Sequence, residues 1–122
     1  MRLISSTILI TALIGCGVSD DTLIKDFEPD DVQRFCDEIS GDVREVVCNY
    51  EGVTASFEIG YAYDDCLDTY EPTRFTECDL TAGDVRACED ALDALSDEDF
   101  CALDTGYPDA CADVVACLFI AS

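Results

Sequence analysis

The sequence predicts an all-α fold: a compact bundle of five or six short helices stapled by four disulfides, following a cleaved signal peptide and a short acidic tether. Three observations predict it. Beyond Pro29 the apolar residues recur at i, i+3, i+4 and i+7 along most of the chain, the repeat that turns one helical face toward a core. Those stretches are bracketed by helix signals, with Ser, Thr or Asp ahead of an acidic residue three positions on, and Gly or Pro at the stops. After position 16 the chain carries eight cysteines, an even set that can pair completely.

The first fifteen residues are set apart from that domain. Arg2 is a minimal positive n-region, and Leu3 to Ile14 form an apolar run too short to span a bilayer, so the stretch reads as a cleaved signal. Leu13-Ile14-Gly15-Cys16 resembles the lipobox of bacterial lipoproteins, in which the Cys is lipidated and residues 1–15 are removed. Gly15-Cys16-Gly17 also satisfies the small-x-small pattern of an ordinary signal peptidase site, which would leave Val18 as the N-terminus of a secreted protein. Either route exports the chain. Residues 16–28 then read as the lipidated Cys and an acidic tether, with Leu23, Ile24 and Phe27 as docking points.

The domain proper is expected over residues 29–122. Pro29 suits a first helical position, Val32, Phe35, Cys36 and Ile39 share one face, and Gly41 stops the helix. Asp42 with Glu45 resembles a capping box and predicts a second helix carrying Val43, Val46, Val47 and Tyr50, ended by Gly52. Residues 54–70 are ambiguous. Phe57, Ile59, Tyr61 and Tyr63 alternate as in a strand, whereas Ile59, Ala62, Tyr63, Cys66, Leu67 and Tyr70 fit a helical face. A lone strand without a partner cannot satisfy its backbone, which favours the helix. Thr81 with Asp84 opens a helix bearing Val85, Cys88, Leu92 and Leu95, and Ser96 with Asp99 opens a short one. Pro108 begins the last, with Cys111, Val114, Val115 and Leu118 on its apolar stripe.

With Cys16 set aside, Cys36, Cys48, Cys66, Cys78, Cys88, Cys101, Cys111 and Cys117 form the expected disulfide framework. Eight cysteines allow 105 connectivities. One pair is excluded: Cys111 and Cys117, six apart on one helix, are about 9 Å apart along its axis, beyond the reach of a bridge. No C-x-x-C spacing and no His occur, so neither a zinc or redox site nor any other cofactor is expected.

All 28 acidic residues follow Cys16, against five basic ones (Lys25, Arg34, Arg44, Arg74 and Arg86), giving a formal charge near −23 once Arg2 leaves with the signal. Such a surface repels nucleic acid. Its plain reading is solubility. The sharper one is weak divalent-cation binding at Asp97-Glu98-Asp99, Asp20-Asp21, Asp30-Asp31 or Asp64-Asp65, although none forms an EF-hand loop.

Taken with the lipobox, the run Thr81-x-x-Asp84-x-x-x-Cys88, Cys101-Ala102-Leu103, Pro108-x-x-Cys111 and Cys117 resembles the small cysteine-rich lipoproteins of myxobacteria and related predatory or soil bacteria. That resemblance covers the signal and the last forty or so residues. It implies an address and an architecture without an activity.

The functional expectation is therefore a non-enzymatic, lipid-anchored cell-envelope protein with a structural or binding role and an unknown protein partner. Its membrane attachment is the lipid itself. Gly17 stands where an Asp would signal inner-membrane retention in enteric bacteria, which favours the outer membrane. The alternative is a carrier of a small apolar ligand, a design that disulfide-stapled helical folds such as saposins and elicitins use. Phe57, Tyr61, Tyr63, Tyr70 and Phe75 would line its cavity. A hydrolase is disfavoured, since the chain has no Trp for sugar stacking and no G-x-S-x-G motif.

Overall fold

The computed structural model describes residues 17–104 and 106–121, so the expected signal peptide and lipid-bearing Cys16 lie outside the described residues. Within them the chain forms α1 (Pro29–Ile39), β1 (Arg44–Tyr50), β2 (Val53–Ile59), α2 (Tyr63–Thr69), α3 (Ala82–Asp93), α4 (Asp97–Cys101) and α5 (Ala112–Ala121). Single 3-10 turns occupy Ile24–Asp26, Pro72–Phe75 and Asp109–Cys111.

The fold is mixed, which corrects the all-α expectation: β1 and β2 form a two-stranded antiparallel sheet. The segment expected as a second helix from Asp42 is β1. Residues 54–70 divide between β2 and α2. Val43, Val46, Val47 and Tyr50 satisfy the helical period, but the buried positions follow the period of two. Val46 and Cys48 are 0% and 1% exposed, while Val47 between them is 49% exposed. Glu51 and Gly52 supply the turn, with φ of 52° and 89°, both in the left-handed region that a two-residue hairpin loop of type I′ requires. The register sets Val46 against Phe57 and Cys48 against Ala55, so one face of the hairpin is apolar. The partner that β2 seemed to lack is the strand immediately before it.

Three of the helices, α1, α3 and α4, start at their end signals. The Asp31 carboxylate accepts the Glu28 N–H at 2.9 Å at the start of α1, where Pro29 occupies the first turn. Thr81 and Asp84 close a full capping box on α3, with reciprocal side chain–backbone bonds of 3.1 and 3.0 Å. The Ser96 hydroxyl accepts the Asp99 N–H at 3.1 Å and starts α4.

Two apolar clusters result. The larger is built on Ile24, Phe35, Tyr70, Phe75 and Val85, all fully buried, with the Tyr70 and Phe75 rings stacked at 5.9 Å. The smaller joins Val46, Cys48 and Ile59 of the hairpin to Phe100 of α4, and Phe57 meets Phe100 edge to face at 5.4 Å. Leu92 of α3 packs against both clusters.

Residues 17–28, expected as a tether, are instead part of the body. Val18, Ile24 and Phe27 are buried in the larger cluster. Ile24 N–H donates to the Leu80 carbonyl at 2.8 Å, Ala82 N–H to Thr22 at 2.9 Å and Gly83 N–H to Asp20 at 3.0 Å. Three buried apolar residues among these twelve positions suffice to dock this segment, because α3 offers its first-turn N–H groups as partners.

Four disulfides pair Cys36 with Cys66, Cys48 with Cys101, Cys78 with Cys117, and Cys88 with Cys111. Cα separations run from 4.5 to 5.9 Å, within the range a bridge accepts. They tie α1 to α2, β1 to α4, the loop before α3 to α5, and α3 to the 3-10 turn that leads into α5. Cys111 and Cys117 sit in separate bridges. Cys48–Cys101 interleaves in sequence with each of the other three, so the set forms one linked circuit.

Candidate functional site

The hairpin base, α1 and α3 enclose a polar cleft of about 510 Å³. Two arginines frame it, and both are already engaged. Arg44, the first residue of β1, reaches the C-terminal end of α3, where its guanidinium donates to the carbonyls of Leu95 at 3.2 Å and Leu92 at 3.4 Å. A cation there meets the negative end of the helix dipole. Arg86 on α3 donates to both oxygens of Glu38, at 2.7 and 2.6 Å, to Asp20 at 2.6 Å and to the Val18 carbonyl at 2.6 Å. Its guanidinium lies 5.5 Å from the centre of the Phe35 ring. One side chain thus fastens the N-terminal segment, α1 and α3 together.

Carboxylates line the rest of the cleft. Asp42, Glu89, Asp90 and Asp93 face it, and none forms an ion pair among the described residues. Glu89 is the one whose chemistry is altered. Burial, together with the nearby charges of Asp93 and Asp90, pushes its carboxyl up to about 7. It holds or releases a proton near neutrality.

Beside the cleft lies an apolar groove of about 270 Å³ between the hairpin, α3 and α5. Ile59, Gly60, Tyr61 and Glu89 line both parts. The groove walls are mainly Phe57, Leu92, Phe100, Val114, Val115 and Leu118. The Tyr61 hydroxyl hydrogen-bonds that of buried Tyr70 at 2.9 Å, which fixes the ring at the junction. Burial raises both phenols, so each stays protonated.

Of the five aromatics expected to line a cavity, the structure brings Phe57 and Tyr61 to this groove. Tyr70 and Phe75 are packed into the larger cluster instead, and Tyr63 is exposed. Their helical spacing was a core signal. Leu92, Val114, Val115 and Leu118 belong to apolar stripes that the sequence does display, but that α3 and α5 face each other across a groove is a tertiary fact. Nothing in the sequence distinguishes Glu89 from the other acids.

The acidic runs have structural employment. Asp30 and Asp31 lie in the first turn of α1, Asp64 and Asp65 in that of α2, and Asp97, Glu98 and Asp99 in that of α4, where negative charge favours the helix dipole. Asp20 serves Arg86. Among the described residues no group of three or more acidic or cysteine side chains is placed to hold a metal ion. None of the described helices is long and apolar enough to cross a membrane. Comparison with protein-family models, with curated proteins and with solved structures returns no match.

Proposed function

We propose that the chain is an exported cell-envelope protein, lipid-anchored through Cys16, whose disulfide-stapled domain has a non-enzymatic structural or binding role. The resemblance to the small cysteine-rich lipoproteins of myxobacteria belongs to this proposal, as does placement at the outer membrane. The observation that carries it is the complete pairing of the eight described cysteines. Structural disulfides of this density persist in oxidising compartments. Each of these, closing a loop of 23 to 53 residues, adds about 3–4 kcal/mol in the chain-entropy picture.

Burial of Val18 shapes the anchored form. With the lipid on Cys16, Gly17 is the only residue between the anchored position and the packed body, so the domain would stand directly on the bilayer surface. The test is intact mass, under non-reducing conditions, of the protein isolated from its native envelope. An N-terminus at Cys16 with acyl mass and no alkylatable thiol is the expected result. A start at Val18 without acyl mass overturns the anchor, and free thiols overturn the disulfide module. A second reading, the carrier of a small apolar ligand, is supported by the groove that Phe57 and Tyr61 help to line.

A further inference from the structure

The cleft and groove share a wall at Glu89, and that junction suggests what they hold. We propose that the apolar groove, with Glu89 on its wall, binds a small organic amine with an apolar tail, the ammonium group against Glu89 and the tail between β2 and α5. The proposal rests on the carrier reading and names its ligand class.

Shape gives the first argument. A polar cleft and an apolar groove lie side by side and share four lining residues, Ile59, Gly60, Tyr61 and Glu89, so a carboxylate stands at the edge of an apolar surface, the arrangement an amphiphile fits.

Charge selects the head group. Arg44 and Arg86 are consumed by protein acceptors, whereas Asp42, Glu89, Asp90 and Asp93 keep no cation among the described residues. A carboxylate or phosphate head would enter a field set by those acids and by a formal net charge of −22. A neutral apolar molecule would bury Glu89 further without compensating it. An ammonium group offers three donors and a compensating charge in one small volume. A bare metal ion is poorly served, because no group of three or more ligating side chains converges among the described residues.

Elevation of the Glu89 carboxyl toward neutrality accords with a half-buried acid left without its counter-ion.

Isothermal titration of the oxidised protein with n-hexylamine, n-hexanol and n-hexanoate, at about pH 8 where Glu89 is ionised, tests the assignment. Hexylamine should bind saturably and about tenfold more tightly than hexanol, with hexanoate weakest. Glu89→Gln preserves shape and removes a buried charge, so the fold is not at risk. It should weaken hexylamine about tenfold without weakening hexanol, whose binding no longer buries an uncompensated carboxylate. Val115→Arg, at a half-buried position of the groove, should abolish binding of both. Equal affinity for hexylamine and hexanol would overturn the amine preference while leaving the carrier reading intact. Saturable binding of none of the three would overturn both. Undiminished hexylamine binding by Glu89→Gln would overturn the role given to that residue.

Discussion

Arg86 shows how much one residue carries in a chain with so few cations. Its side chain is 20% exposed, yet it joins Glu38, Asp20 and the Val18 carbonyl, so three segments remote in sequence meet there. The bidentate geometry toward Glu38 is one that a lysine cannot reproduce. Because Glu38 and Asp20 are 46% and 73% exposed, solvent screens much of the attraction. Arg86→Ala is therefore expected to cost about 1–2 kcal/mol, and to speed amide exchange in residues 18–24 far more than in α5. Denaturant unfolding together with hydrogen exchange checks this. Uniform loss of protection would mean that the N-terminal segment is not held locally. Gly83 contributes to the same junction: a Cβ there would lie 3.0 Å from Asp20 Cβ, so its lack of a side chain admits the N-terminal segment.

The elements divide by how local their signals are. Caps at Thr81–Asp84 and Ser96–Asp99 were legible because the bonds they make span three residues. Asp42 with Glu45 has the same spacing and no helix behind it, since the valines that follow are β-branched and pair across a turn instead. That turn was hidden by Glu51, a residue seldom found at positive φ, in place of the Asn or Asp that usually marks a type I′ hairpin. Once the hairpin is missed, β2 looks unpartnered and is misread in turn. The cysteine set was legible as a framework, but which pairs form depends on distances that spacing does not encode, and the Glu89 junction depends on three elements at once. Glu51→Asn should relieve the left-handed strain and raise stability by about 0.5–1 kcal/mol, a few degrees in Tm. Thermal unfolding under oxidising conditions measures it, and a fall in Tm would contradict the turn geometry.

At the scale of the molecule the four bridges act as a set. Cys36–Cys66, Cys48–Cys101 and Cys78–Cys117 overlap in sequence, so every peptide bond from Cys36 to Cys117 is spanned by at least one of them. Trypsin offers a direct check, because Arg44, Arg74 and Arg86 are its only sites within that interval. Cleavage at all three, and at Arg34 just outside it, should leave residues 35–122 as one covalent species under non-reducing conditions, and give peptides 35–44, 45–74, 75–86 and 87–122 on reduction. Release of any of these before reduction would refute the connectivity. The continuity of the chain and the continuity of the molecule are thus separate properties here. A severed backbone remains a single particle with every fragment attached, and protease damage is recorded in it as added water and new termini while no piece departs.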